Sequence, residues 1–184
     1  MTPKSQPNIQ LKLFIFITFV MLLKSTEARI GMDVVDITDC PNKPPMKGLD
    51  FSNLSFSMNE KGEVIMDGNV TFLVEHGAPW SWILHTQHLE RGTWATGIVR
   101  KSVPDFCKSC HNPLEVWSVI MKYVKIQECP VPAGHVESFD RVNLGSFGVR
   151  VPAAFIGEWK LFIETTLGPN YHDCLMVEGS VFEI

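Results

Sequence analysis

Polar and apolar positions alternate through most of this chain. The clearest run is EVIMDGNVTFLVE, residues 63–75. Val64, Met66, Val70, Phe72 and Val74 share one face, with Gly68 in phase. Glu63, Asp67, Asn69, Thr71 and Glu75 take the other, interrupted by Ile65 and Leu73. A period of two over that length predicts a strand with one buried face. The preceding LDFSNLSFSM, 49–58, reads as a second strand whose phase slips between Phe51 and Leu54, which predicts a bulge. A turn over 59–63 joins the two as a hairpin. A second hairpin is predicted from WSWILHTQHL (80–89) and GTWATGIVR (92–100), turning at Glu90-Arg91-Gly92. The segments 135–143, 157–167 and 172–184 read as three further strands, and MDVVDITDC, 32–40, opens the set.

One segment breaks the alternation. In NPLEVWSVIMKYV, residues Leu114, Trp117, Ile120, Met121 and Val124 recur at spacings of three and four. Asn112 is a good N-cap, Pro113 fits the first helical position and Glu115 follows three after the cap. One helix is predicted over about 113–124. The fold class is mainly β: an antiparallel β-sandwich or cup of about eight strands with one short helix.

Strand phase selects the inward residues. Trp159, Leu161, Ile163 and Leu167 share a face, as do Val70, Phe72 and Val74, and as do Trp80, Trp82 and Leu84. Together with Trp94 and Trp117, the sequence holds five tryptophans. A sandwich core about 10 Å thick is crowded by so many indoles, so some are expected to line a cavity or its mouth. Core packing accounts for any single one of them. VPAAFIGEW, with Val151, Phe155 and Ile156, is apolar yet reads as a loop, a candidate ligand gate, membrane-touching lip or buried edge.

The N-terminus bears on compartment. Residues 13–23, LFIFITFVMLL, form a run of eleven largely apolar residues after Lys4 and Lys12. That is too short to span a bilayer, which takes about 20 residues. It fits a secretory signal peptide with cleavage after Ala28. Residues 29–184 are then a single domain. Without 1–28 the chain has 13 basic and 19 acidic residues, a formal charge of −6. A mildly acidic chain without a basic run gives no support for nucleic-acid binding. No later stretch is apolar enough to span a membrane. Two sequons, Asn53-Leu54-Ser55 and Asn69-Val70-Thr71, are candidate glycosylation sites. Phase puts Asn69 on the wet face and makes it the expected one.

Five cysteines remain: Cys40, Cys107, Cys110, Cys129 and Cys174. Cys107-Lys108-Ser109-Cys110-His111 has the C-x-x-C-H spacing of haem attachment and the C-x-x-C of dithiol redox enzymes, and it could form half of a zinc site. Haem leaves three cysteines unexplained. A thioredoxin-like site needs a parallel sheet of continuous apolar strands, which this alternation is not. His85 and His88 could add zinc ligands, but on a strand they point to opposite faces. A disulfide framework uses the most residues. Cys107 or Cys110 precedes the predicted helix and Cys129 follows it, while Cys40 ends the first strand and Cys174 lies in the last. Two bonds leave one thiol over. G-x-S-x-G, H-E-x-x-H and P-loop motifs are absent, so no enzyme, metal or cofactor is expected.

The order of these blocks resembles a known superfamily. An early Cys, sandwich strands, DFC, a short helix, ECPVPAG, IGEWKLFIET and a last strand with DCL are similar to the ML lipid-recognition, ganglioside-activator-like proteins. The likeness is closest to the secreted insect CheA/CheB chemosensory proteins, and it covers most of 32–184. It implies a cup of antiparallel strands holding a lipid or small hydrophobic ligand between two sheets. It further implies pairing of Cys40 with Cys174 and of Cys107 with Cys129, leaving Cys110 free; pairing through Cys110 stays open. The expected function is a secreted hydrophobic-ligand carrier in pheromone or gustatory perception, with a cell-surface receptor or channel as a further partner. A secreted adaptor that binds a receptor protein without lipid is the alternative.

Overall fold

In the computed structural model, residues 30–147 and 151–184 are described. The expected leader and its expected cleavage point after Ala28 lie outside them. Nine strands are found among the described residues: β1 (Ile30–Asp39), β2 (Leu49–Asp50), β3 (Leu54–Met58), β4 (Val64–Phe72), β5 (Trp80–Glu90), β6 (Thr93–Val103), β7 (Val136–Gly145), β8 (Gly157–Leu167) and β9 (Tyr171–Glu183). They form two antiparallel sheets. The larger has the order β1-β9-β8-β5-β6. In the smaller, β4 is central, with β2 and β3 end to end along one edge and β7 along the other.

The two predicted hairpins form, β3 with β4 and β5 with β6. The phase slip at 51–54 is not a bulge within one strand. The Leu54 N–H donates to the Phe51 carbonyl at 2.9 Å and the Ser52 N–H to Asp50 Oδ1 at 2.8 Å, so a tight turn divides β2 from β3. Asp50 and Ser52 are good turn formers because their short polar side chains bond nearby backbone groups. The irregularity instead falls on β4, where the register with β7 shifts between Met66 and Gly68. Gly68 has φ 109°, and a Cβ there would collide with the Asn53 carbonyl oxygen, so glycine is required.

The single helix over 113–124 is also corrected. Two one-turn helices stand in this region: α1 (Phe106–Ser109), on the CKSC stretch itself, and α2 (Ser118–Met121). Between them Asn112 Oδ1 accepts the Leu114 N–H at 3.1 Å, and successive turns follow rather than a continuous helix. Leu114 is 91% exposed, off the face that periodicity assigned it to.

The connection from β6 to β7 crosses between the sheets. Phe106, Cys110 and Trp117 pack in one cluster with Trp80 and Leu84 of β5 and Leu49 of β2. Val119, Ile120 and Val124 pack in another with Val64, Met66 and Phe139 of the smaller sheet. The connection is thus a wedge whose apolar residues are divided between two clusters, which is why no single helical stripe serves.

Cys40 is bonded to Cys174 and Cys107 to Cys129. The first links neighbours within one sheet, since β1 and β9 run side by side with Asp39 opposite Leu175. The bond anchors the point where the chain leaves β1 for the smaller sheet. Asp173 helps, its carboxylate accepting the Lys47 and Gly48 N–H groups at 3.1 and 2.8 Å.

Candidate functional site

Side chains from β4, β5 and β8 meet between the sheets. Register puts Leu84 opposite Ile163, Trp82 opposite Thr165 and Trp80 opposite Leu167, all on one face of the larger sheet. Val70 and Phe72 of β4 reach the same cluster from the other sheet. Trp80 and Leu84 are buried, whereas Val70, Phe72, Trp82, Leu161, Ile163 and Leu167 are only half-buried. In a closed sandwich the inward apolar residues are the most deeply buried ones. On the opposite face of β8, Phe162 is 8% exposed, packed with Met176 and the Cys40–Cys174 bond.

An aromatic group lines one flank of this interior. Trp82 stacks on Phe106 with centroids 4.0 Å apart and planes 5° from parallel. Trp80 meets Trp82 and Phe106 edge-on at 5.1 and 5.0 Å. Trp117 closes the group, 5.5 Å from Phe106, and its Nε1–H donates to the Ser109 carbonyl at 3.2 Å. Such offset and edge-to-face pairs add about 0.5–1.5 kcal/mol each beyond their buried area. The indole N–H groups of Trp80 and Trp82 are buried without a hydrogen-bond partner. His76 extends the group, 4.6 Å from Trp80 and 5.1 Å from Phe72. Its Nδ1–H donates to the Val74 carbonyl at 2.9 Å, and burial lowers the pKa of this imidazole.

The remaining expected lining residues divide. Trp159 and Phe155 stack at 5.2 Å, His88 continues the stack at 5.0 Å, and the Trp159 Nε1–H donates to the Phe155 carbonyl at 2.6 Å. This second aromatic group stands at the opposite end of β8 from Leu167. The apolar stretch 151–156 contains a 3-10 turn, Ala153–Phe155, with Ile156 46% exposed. Val74 lies beyond the end of β4 in a bend, half-buried. Trp94 does not face the interior. It is opposite Leu89, on the face that also bears His85 and Phe162, with Lys160 Nζ 4.5 Å from its ring centre. Its strand position belongs to the outward register, which only the pairing with β5 reveals. Periodicity did not select Phe106 and Met121 for the site; the aromatic in DFC directly before a cysteine was the available signal for Phe106.

The bond from Cys107 to Cys129 leaves no cysteine pair at CKSC. Cys110 is the free thiol, 3% exposed, and its Sγ–H donates to the Cys107 carbonyl at 3.4 Å. Burial raises its pKa, so the reactive thiolate is disfavoured. His85 stacks on Phe162 and His88 on Trp159, on opposite faces of the sheet. Among the described residues no group of three or more His, Cys, Asp or Glu is placed to hold a metal ion.

Two hollows open elsewhere. The larger, about 840 Å³, lies at the end of the sandwich between the 59–63 turn, α2 and the end of β7. The smaller, about 270 Å³, lies over Ile83 and Glu164 on the outward face. None of the expected lining residues borders either.

No protein-family model matches the chain, and no curated protein matches it.

Proposed function

We propose that this chain is a secreted carrier for a lipid or small hydrophobic molecule held between its two sheets. The observation that carries the reading is the half-buried state of Val70, Phe72, Trp82, Leu161 and Ile163, all directed into the space between the sheets. Apolar surface of this kind is unfavourable against water, at roughly 25 cal/mol per Å². A ligand alkyl chain laid against it removes that contact. The buried, unpartnered N–H groups of Trp80 and Trp82 offer donors for a polar atom of such a ligand.

Two disulfides and the lack, among the described residues, of a helix long and apolar enough to cross a membrane fit an extracellular protein. The eleven-residue apolar run at 13–23 supports entry into the secretory pathway. The chemosensory role rests on the resemblance to CheA/CheB proteins.

The test is organic extraction of the protein purified from culture medium, followed by mass spectrometry. Recovery of a stoichiometric apolar molecule supports the carrier. An extract without lipid, together with failure to displace fluorescent hydrocarbon probes of several lengths while circular dichroism reports a folded β protein, leaves the adaptor.

A further inference from the structure

The 840 Å³ hollow at the end of the sandwich lies within the 300–1,000 Å³ range of small-molecule sites. Its apolar floor is Val119, Leu144 and Ile184. Leu144 is 4% exposed and packed in the smaller sheet's cluster. Ile184 is held there because Gly62 has no side chain; a Cβ at Gly62 would collide with the Ile184 side chain.

The walls are polar and carry two cations. Lys61 comes from the turn between β3 and β4, and Lys122 directly follows α2. Among the described residues neither lysine forms a salt bridge. Among the described residues, the only acidic side chain lining the hollow is Glu63. Its carboxylate accepts the Asn59 and Asn143 side-chain amides at 2.8 and 3.0 Å, and these bonds, with a smaller contribution from the charge of Lys61, hold its pKa below the ordinary value. Tyr123 adds a phenol.

We infer that this end cleft is a second binding site, for an anionic amphiphile: the charged head meets Lys61 and Lys122, and the apolar tail lies on Val119, Leu144 and Ile184. The inference does not rest on the carrier reading, because none of Val70, Phe72, Trp82, Leu161 and Ile163 lines this cleft.

The test uses the full, disulfide-intact protein with decanoate and decanol, which share a tail and differ in charge. Calorimetry is expected to show decanoate bound more tightly than decanol, with the difference shrinking as salt rises. Lys61→Gln/Lys122→Gln is expected to weaken decanoate about tenfold and leave decanol unchanged. A photoreactive decanoate is expected to label Val119, Tyr123 or Leu144. Ile163→Gln, which alters the space between the sheets, is expected to leave that labelling intact. Equal decanoate affinity in the double variant and the parent, labelling confined to Phe72, Trp82 or Ile163, or no decanoate binding at all each overturns the end-cleft site.

Discussion

Glu137 is 2% exposed, a burial that a carboxylate tolerates only with full hydrogen bonding. It accepts the Lys125 and Ile126 N–H groups at 2.9 and 3.0 Å and His135 Nε2 at 2.6 Å. Burial works against its ionisation, but these bonds outweigh it and hold its pKa below the ordinary glutamate value. A carboxylate lowered in the folded state stabilises the protein above its unfolded pKa of about 4.3, and that contribution is lost as pH falls through the folded value. Glu137→Gln should therefore cost about 2 kcal/mol at pH 7, with the difference from the parent shrinking toward pH 3 in urea unfolding curves. A constant difference across that range would refute the assignment. At Cys110 the expectation is chemical: Ellman's reagent finds no reactive thiol in the folded protein and one after denaturation without reductant. The sequons also separate at this scale. Asn53 is exposed in its turn, while Asn69 is half-buried on the central strand, its N–H bonded to the Asn53 carbonyl at 3.1 Å. Exposure favours Asn53, contrary to the order suggested by strand phase. Asn53→Gln is expected to abolish the glycosidase-sensitive mobility shift, and a shift retained there but lost in Asn69→Gln reverses the assignment.

At the scale of elements, the alternation in β4, β5 and β8 was legible because each strand buries one face and a period of two survives any partner. What was not legible depends on partners distant in sequence. Leu114 fits a helical stripe locally, but the wedge is shared between two clusters and has no single face to bury. Trp94 alternates correctly along β6, yet which phase is inward is set by its pairing with Leu89. The Cys40–Cys174 bond likewise looks like a clasp between the chain's two ends until β1 and β9 are seen side by side. The wedge yields a paired test. Trp117, 7% exposed and in contact with Phe106 and Lys101, should cost about 3–5 kcal/mol on replacement by Ala. Leu114→Ala should stay within about 0.5 kcal/mol. A large loss at Leu114 in thermal unfolding would restore the continuous helix.

For the whole molecule, the relevant contrast is between Phe162 and its sequence neighbours Leu161 and Ile163 on β8. On β8 the outward Phe162 is covered by Met176, His85 and the disulfide, while the inward Leu161 and Ile163 remain half-buried. The wedge, pinned by Cys107–Cys129, fills one flank with Phe106 and Trp117 and leaves those β8 residues without equal cover. If a ligand supplies that cover, each methylene it buries contributes about 0.8 kcal/mol, enough for a short alkyl chain to reach micromolar affinity after association costs. Binding then needs no charge between the sheets and depends weakly on salt, which separates it from the lysine-flanked end cleft. Ile163→Gln places an amide on the half-buried inward face and should weaken displacement of a fluorescent hydrocarbon probe about tenfold or more while the protein still folds. Trp94→Ala, on the outward face, should leave displacement unchanged. Equal losses from the two substitutions, or none from Ile163→Gln in a protein that does bind the probe, would move the ligand out of the space between the sheets.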